Sequence, residues 1–268
     1  MNKVFIIFIL KMNTIQFSLC IPTMDRFDDF LDDYLEIYLE FKERGIIDEI
    51  IVCDENGNDY AKILEKYNNG NESTTTAPIR LYQNETRLGV LKNKARVVSL
   101  AKSTNYIALI DSDNFVGESY FESAKRIIAE KRITIDMPCS LIPMYSKPNY
   151  EYGFYRDFIF DQQTAAHYCH LIRFRTMINS GNFVITPAVY QRILFDEAAD
   201  KVISYDAAYL HLLAFQQIPE YRIYMVNDME YLHVVHDNSN FILNQETNGK
   251  FYDQVIVPQF KQFIEKKT

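Results

Sequence analysis

The 268-residue sequence has little of three features that mark particular classes of protein. Its four cysteines lie far apart, and no two of them form a C-x-x-C pair. It has 28 Lys and Arg residues against 36 Asp and Glu residues, which gives a net charge of −8. It has no apolar run that approaches the roughly 20 residues needed to cross a bilayer as a helix.

Each of these shortages excludes a class of function. Without paired cysteines, we expect neither a disulfide scaffold nor a cysteine-rich zinc site, and the sequence indicates a reducing, cytoplasmic environment. An acidic chain is repelled by a phosphate backbone, so we expect no nucleic-acid partner. The short apolar runs predict a soluble protein without an integral membrane span.

The N-terminus imitates a signal peptide only in part. Lys3 precedes the apolar run 4–10, but Lys11 ends that run and no small-residue cleavage site follows. We predict an N-terminal extension over residues 1–14, with Met1 or Met12 as the functional start. A peripheral membrane association through this segment is the alternative.

The rest of the chain contains short runs rich in Ile, Val, Leu and Phe that alternate with amphipathic stretches. This alternation is typical of βαβ units on a largely parallel sheet. With 48% hydrophobic residues, the chain can bury one substantial core. The predicted strands of the first half are 15–21, 49–53, 79–82 and 106–110, and the predicted helices are 27–44, 60–67, 90–102 and 117–131.

Acidic residues follow two of these predicted strands. Residues 54–59 come after the second strand, and Asp111-Ser112-Asp113 comes after the fourth. Ligands of open α/β sheets bind at the carboxyl ends of the strands. Two carboxylates one residue apart can face one point, and their oxygens suit Mg²⁺ or Mn²⁺ with positions left for phosphate. Taken alone, an Asp-x-Asp sequence is more often an ordinary turn.

Asp111 and Asp113 belong to a set of four segments that together resemble a known family. Residues 18–26, 50–59, 84–95 and 107–113 together resemble the nucleotide-sugar-binding half of GT-A glycosyltransferases, especially the large inverting family two. The resemblance implies a single α/β domain over 15–268 with the Rossmann-like GT-A fold, a mixed and mostly parallel sheet flanked by helices. It implies a nucleotide-sugar-binding half at 15–140 and an acceptor-binding half at 141–268.

The resemblance also implies roles for residues on the donor side. Asp113 is the first metal ligand, and Asp111 is its partner on the ribose side. Asp54 holds the nucleoside base, although Glu55 stands where the family usually has a second Asp. The other residues that the resemblance places at the donor are Pro22, Thr23, Asp25, Arg26 and Ser112.

The chemistry of such a donor agrees with these residues. A divalent cation across the diphosphate stabilises the negative charge of the leaving group, so an acidic protein can bind an acidic donor. Arg87 and Lys94 are candidates for contact with the phosphates. For each of them, a solvated helix face is an equally good interpretation.

The second half contains the candidates for sugar contact and catalysis. Residues 177–187 resemble the segment under the donor sugar, which makes Gly181 and Asn182 candidates for sugar contact. Asp206 resembles the family's acidic motif at a helix start, whose carboxylate is the catalytic base. Asp196 and Glu197 are its rivals. The alternative role for Asp206 is an ordinary helix N-cap.

Two late histidines are candidates for the metal. His233 and His236 would point to opposite faces if one strand continued through both, so only one is expected to reach the site. We favour His236, with His233 as the alternative, because a polar turn follows it. An imidazole ligand suits Mn²⁺ better than Mg²⁺, so Mn²⁺ is the expected cofactor and Mg²⁺ the second choice.

The sequence therefore predicts a metal-dependent glycosyltransferase. It would move a sugar, with a UDP-sugar as the favoured donor, to a hydroxyl of a glycan or other acceptor with inversion. One alternative is a sugar nucleotidyltransferase, although residues 21–26 lack the glycine-rich loop typical of that class. The other is a catalytically inactive nucleotide- or sugar-binding module. The tail, 255–267, predicts a short helix that closes the domain or packs on a second copy in a homo-oligomer.

Overall fold

A computed structural model describes residues 14–70, 77–147, 150–151, 153–202, 204–234, 236 and 249–265. The predicted N-terminal extension lies outside these residues except for Thr14, and so do both candidate start residues. The first element of the described chain is a strand that begins at Phe17.

One mixed sheet organises the described part of the chain. Its strands, in chain order, are β1 Phe17–Thr23, β2 Glu49–Asp54, β3 Arg80–Gln83, β4 Tyr106–Leu109, β5 Cys139–Lys147, β6 Tyr150–Glu151, β7 Ile159–Phe160, β8 Phe183–Ile185 and β9 Arg222–Leu232. Their order across the sheet is β3-β2-β1-β4-β8-β5-β9-β7, and β6 pairs with β5. The strands β3, β2, β1 and β4 are all parallel. β8 runs antiparallel between β4 and β5, and β9 runs parallel to β5, so the predicted mixed, mostly parallel sheet is confirmed.

Helices connect and cover the strands. The α-helices, numbered in chain order, are α1 Asp32–Glu43, α2 Asn58–Tyr67, α3 Val90–Ser99, α4 Glu118–Lys131, α5 Gln162–Tyr168, α6 Ile172–Ile178, α7 Pro187–Tyr190, α8 Asp206–Gln217 and α9 Val257–Glu265. A π-helical turn, Phe27–Leu31, leads into α1, and another, Tyr252–Ile256, leads into α9. Short 3-10 turns lie at Gly153–Tyr155 and Glu197–Lys201.

The central strands are apolar on both faces because helices cover both sides of the sheet. Every residue of β1 is buried. Successive side chains of a strand point to opposite faces, and here Leu19 packs into one core cluster while Cys20 packs into the other. Ala108 and Leu109 of β4 divide between the two clusters in the same way. The continuous apolar runs in the sequence therefore reflect a sheet buried between two layers.

One predicted helix is shorter than expected. The helix predicted over 90–102 ends at Ser99. The helix after β8, α7, ends at Tyr190. Pro187 does occupy the first turn of α7. After α7, the backbone at Leu194 is not helical and bonds to a side chain. The Leu194 N–H donates to Gln217 Oε1 at 2.7 Å.

The C-terminal helix, α9, packs against aromatic residues of the same chain. Phe260 of α9 lies with its ring centroid 6.0 Å from those of Phe174 and Phe215. In the described residues, no helix is both long and apolar enough to span a bilayer. The four cysteines, Cys20, Cys53, Cys139 and Cys169, are all buried free thiols.

Candidate active site

The Asp-x-Asp sequence lies directly after β4, at the carboxyl edge of the parallel strands. The Ile110 N–H still bonds to the Cys20 carbonyl at 3.0 Å, and the chain then turns, with the Asn114 N–H donating to the Asp111 carbonyl at 3.0 Å. Asp111 and Asp113 stand on the two sides of this turn. Ser112, between them, is only 8% exposed.

A buried lysine joins Asp111 to Asp206. Lys94 Nζ of α3 lies 2.6 Å from Asp111 Oδ1 and 2.5 Å from Asp206 Oδ2, and Lys94 is only 4% exposed. The attraction between the ammonium and the two carboxylates offsets part of the cost of removing the three charges from water. The fold thus brings together the acidic turn after β4 and the candidate base at the start of α8.

The electrostatics of this triad follow from burial and proximity. Burial raises the pKa of Asp111 to about 6, and the Lys94 ammonium opposes that rise. Burial acts to lower the pKa of Lys94, but the two carboxylates outweigh it and hold the lysine charged. Lys94 therefore does not lie on a solvated helix face, whereas Arg87 lies exposed in the loop before α3.

Asp206 does not act as an N-cap. It is the first residue of α8, the N-cap position belongs to Tyr205, and no side-chain cap bond forms there. The carboxylate turns to Lys94 instead and is 8% exposed. The capping interpretation of Asp206 is therefore wrong.

The rival carboxylates have structural roles. Asp196 caps the 3-10 turn by accepting from the Ala199 N–H at 3.1 Å, and it also accepts from Tyr209 Oη at 2.9 Å. Glu197 lies within that turn. Among these three acidic residues, Asp206 is the one paired with the Lys94–Asp111 group.

Asp113 faces the second histidine. His236 Nε2 lies 3.0 Å from Asp113 Oδ2, and the His236 ring packs 5.2 Å from that of Phe30. β9 ends at Leu232, before either histidine, so the alternation of strand faces does not select between them. A hydrogen bond after the end of β9 holds the segment that carries His236 beside Asp113. The Val234 N–H donates to Asn114 Oδ1 at 3.0 Å.

The residues present fit a divalent cation held by few protein ligands. In the part of the chain that the structure describes, no three His, Cys, Asp or Glu side chains converge on a metal-sized site. Asp113 and His236 converge as a pair, and a carboxylate oxygen with an imidazole nitrogen suits Mn²⁺. Such a pair leaves coordination positions for the oxygens of a ligand. Asp111 already has Lys94 as its cation, while His233 is largely buried and burial lowers its pKa.

Asp59 holds the segment that follows β1, a role that sequence reasoning missed. Its carboxylate accepts from Thr23 Oγ1 at 2.5 Å, from the Arg26 N–H at 3.0 Å and from the Phe27 N–H at 3.0 Å. Asp59 is 1% exposed. The sequence offered one indication of this role. Asp59 directly precedes a predicted helix that closely follows a strand, a position where an Asp side chain often accepts from backbone N–H groups.

A cleft of about 500 Å³ opens beside this segment. Asp25, Phe27, Gly57 and Asn58 are among the residues that line it. Asp25 adopts a left-handed conformation, with φ at 56°, and its carboxylate accepts from the side chains of Asn58 at 2.6 Å and Asn56 at 2.8 Å. The Asn58 and Asn56 hydrogen bonds lower the pKa of Asp25, which keeps the carboxylate ionised. Pro22, just before the segment, is buried at the end of β1.

Asp54 and Glu55 shape the turn after β2. Asp54 is fully buried, and its oxygens accept from the Tyr60 N–H at 2.8 Å and the Asn56 N–H at 3.2 Å. Glu55 accepts from the Gly89 N–H at 2.5 Å and from Asn84 Nδ2 at 2.7 Å. Glu55 thus ties the start of α3, and with it the helix of Lys94, to the end of β2.

Gly181 and Asn182 contact Asp111 from the second half of the chain. A Cβ atom on Gly181 would lie 1.9 Å from Asp111 Oδ2, so the glycine is needed for close approach. Asn182 is fully buried, and its Oδ1 accepts from the Asp111 N–H at 2.9 Å. Both candidates for sugar contact therefore lie against the acidic turn after β4.

These elements occur in a chain that matches the family model described as glycosyl transferase family 2 over residues 18–198, more than half of its length. The chain belongs to this family. The match includes Lys94, Asp111 and Gly181, whereas Asp206 and His236 lie beyond its end. The resemblance drawn from the four sequence segments is thereby confirmed.

Solved structures support the fold. The chain is similar to TarS of S. aureus, with a TM-score of 0.58 and 16% identity over 94% of this chain and 42% of TarS. It is similar to TarS 1–349 in complex with UDP, with a TM-score of 0.58 and 16% identity over 94% of this chain and 70% of that one. A mycobacterial protein shows a TM-score of 0.52 and 13% identity over 85% of this chain and 70% of its own. The chain thus spans less than half of the full TarS chain. No curated protein sequence matches it.

Proposed function

We propose that the protein is a metal-dependent glycosyltransferase that moves a sugar from a nucleotide-sugar donor to a hydroxyl of a glycan or other acceptor. The observation that carries this proposal is the single buried lysine that joins Asp111 to Asp206. A turn at the carboxyl edge of a parallel sheet is where such folds bind nucleotides. A carboxylate fixed beside that turn is where a transfer reaction needs a base.

The donor diphosphate would lie at Asp113 and His236. These residues would hold Mn²⁺, or Mg²⁺, which supplies positive charge to the leaving nucleoside diphosphate. The side chains of Asp113 and His236 would orient the diphosphate beside the acidic turn, and Asp111 would contact the ribose. Arg87, exposed in the loop before α3, is the candidate for further phosphate contact, whereas Lys94 is buried between Asp111 and Asp206. Ser112 lies between the two acidic side chains.

The nucleoside would lie in the cleft beside Asp25. Asp25 lines this cleft, and Thr23 at the end of β1 and Arg26 after it bond to the Asp59 carboxylate beside it. Asp54 lies beneath the neighbouring turn. A structure with the same overall fold, that of TarS 1–349, is a complex with UDP, which supports a UDP-sugar as the favoured donor. Gly181 and Asn182 would lie under the donor sugar.

Asp206 would act as the catalytic base. Direct displacement at an anomeric carbon needs a group that takes the proton of the acceptor hydroxyl on the side opposite the leaving group. The Lys94 ammonium, 2.5 Å from Asp206 Oδ2, fixes the carboxylate beside the acidic turn after β4. The inverting outcome rests on the resemblance to the inverting members of the family.

A donor screen tests the proposal. Purified protein is incubated with Mn²⁺ or Mg²⁺ and a panel of UDP-, GDP-, CDP- and dTDP-sugars, and the slow release of nucleoside diphosphate is followed. We expect release from one donor, lost on addition of a chelator, which identifies the base and the sugar together. The absence of both release and metal-dependent nucleotide binding with every donor would instead favour an inactive binding module.

A further inference from the structure

The first turn of α8, which carries Asp206, lacks a cap of its own. The N-cap residue Tyr205 makes no capping bond with its side chain, so the first N–H groups of the helix need partners from elsewhere. This turn holds a charged side chain that is 8% exposed, and a frayed turn would move that charge. The stability of the turn therefore bears directly on where the Asp206 carboxylate lies.

Asn179, directly after α6, supplies the missing cap from outside the helix. Its Oδ1 accepts from the Ala208 N–H at 3.4 Å, which is the bond that an N-cap side chain would otherwise make. Its Nδ2 donates to the Ser204 carbonyl at 3.0 Å. One amide thus holds the chain on both sides of Asp206.

Arg175, one turn earlier in α6, holds the intervening residue. Its Nε donates to Tyr205 Oη at 2.5 Å. Its guanidinium carbon lies 4.9 Å from the ring centroid of Tyr205 and 4.8 Å from that of Tyr252. A guanidinium in contact with two aromatic rings gains from both, and the planar group does this better than an ammonium. Tyr252 in turn donates to the Cys169 carbonyl at 3.0 Å, so the arginine is held on a buried, bonded ring.

We propose that Asn179 and Arg175 are positioning residues that set the Asp206 carboxylate against Lys94 by holding the first turn of α8. The inference rests on the proposed function, because it concerns the residue assigned there as the base. Neither side chain needs to touch the donor or the acceptor. Asn179 acts through the backbone of Ser204 and Ala208, and Arg175 acts through the side chain of Tyr205.

The test measures kcat and KM for the donor that releases nucleoside diphosphate fastest in the panel of UDP-, GDP-, CDP- and dTDP-sugars. The variants are Asn179→Ala, Arg175→Lys and Asp206→Asn, with each positioning variant also combined with Asp206→Asn. We expect each positioning variant to lower kcat about tenfold with little change in KM, because a small misplacement of a catalytic group is costly. On the Asp206→Asn background the same changes should have less than about a twofold effect, since residues that act through one group are not additive.

Asp161→Ala is the matched control. Asp161 caps α5 by accepting from the Thr164 N–H at 2.9 Å, so its loss removes a helix cap away from Asp206. We expect it to leave kcat unchanged. Equal losses of kcat in Asn179→Ala and Asp161→Ala, or full additivity with Asp206→Asn, would overturn the inference.

Hydrogen exchange separates this inference from the proposed function. Amide exchange at 206–210 should rise in Asn179→Ala and stay unchanged in Asp161→Ala, whether or not Asp206 is the base. Unchanged exchange there in Asn179→Ala contradicts the positioning role. If exchange rises but Asp206→Asn keeps full activity, the turn is held as inferred and the assignment of Asp206 as base is wrong.

Discussion

Gly181 leaves room for only a hydrogen atom against Asp111. A Cβ atom at position 181 would lie 1.9 Å from Asp111 Oδ2 and 3.0 Å from its carboxyl carbon. Asp111 cannot yield freely, because Lys94 holds its other oxygen at 2.6 Å. The two halves of the chain therefore meet at a point where one methyl group would displace a charged group.

Gly181→Ala is expected to lower activity much more than stability. The methyl group should push Asp111 away from Lys94, and we expect donor turnover to fall by about tenfold or more. Steady-state kinetics with the active donor measures this. Gly117→Ala is the control, because a Cβ atom at Gly117 meets only Phe115, at 4.0 Å. Equal activity in the two variants would contradict a role for the close approach.

Asp206→Asn should separate binding from transfer. Nucleotide affinity should be retained, while turnover falls by roughly a hundredfold or more, the scale expected for loss of a general base. Isothermal titration with UDP and Mn²⁺, alongside the turnover assay, checks both quantities. Full turnover in the variant would show that another group accepts the proton.

His236→Ala should weaken the response to Mn²⁺. Loss of one of the two converging side chains is expected to raise the Mn²⁺ concentration that gives half-maximal activity by about tenfold or more. A Mn²⁺ titration of donor turnover measures the change. His233→Ala is the comparison, since His236 and not His233 lies 3.0 Å from Asp113. The reverse order of effects would assign the metal to His233.

Lys94→Met should destabilise the fold, and more at high pH than at low pH. It leaves the Asp111 and Asp206 carboxylates buried without their cation, which costs about 3–5 kcal/mol for a broken buried pair. Burial already raises the pKa of Asp111 to about 6, and loss of the ammonium that opposes this rise moves it higher. The folded variant therefore binds a proton at Asp111 more readily than the unfolded chain does, so the variant gains stability as the pH falls.

Urea unfolding at pH 5.5 and pH 7.5 measures this difference. Lys92→Met serves as the control on the same helix, because Lys92 pairs with Asp200 on the surface and its loss should cost less than about 1 kcal/mol. A similar loss of unfolding free energy in Lys94→Met and Lys92→Met would show that the buried pairs of Lys94 stabilise the fold no more than a surface pair does.

Protonation of His211 should lower stability at acidic pH. The ring is fully buried, with Nδ1 2.7 Å from Tyr221 Oη, and burial lowers its pKa from 6.5 to about 3. Between these values the unfolded state binds a proton that the folded state does not, so the contribution is complete above pH 6.5 and is lost as the pH falls. From pH 7.5 to 5.5 the free energy of unfolding should fall by ~1.4 kcal/mol from this group. In His211→Asn, the free energy of unfolding measured with urea should depend less on pH between 7.5 and 5.5. An unchanged pH dependence in this variant would contradict the role of His211.

Local patterns in the sequence were enough to predict the layered sheet. The runs rich in apolar residues at 15–21, 49–53 and 106–110 lie within two residues of β1, β2 and β4, because a strand buried on both faces is mostly apolar. The acidic residues after these strands predicted the edge of the sheet where the candidate site lies, since parallel strands end together. The family resemblance followed from the same segments.

The sequence alone left open which carboxylate pairs with which cation. Lys94, Asp111 and Asp206 are far apart along the chain, and their meeting depends on how α3 and α8 pack across the end of β4. The same sequence pattern suited Asp206 as a helix cap, an interpretation that only the turn of its side chain toward Lys94 excludes.

Tertiary structure also decided which histidine lies against Asp113 and why position 181 leaves room only for glycine. His236 reaches Asp113 because Asn114 holds the chain at Val234, after the strand has ended. Position 181 requires glycine because Asp111 Oδ2, from a residue 70 positions earlier in the chain, lies where a Cβ atom would be. Hydrophobic periodicity is local and survives in the sequence, whereas the pairing of buried charges depends on distances that exist only once the sheet and its helices have packed.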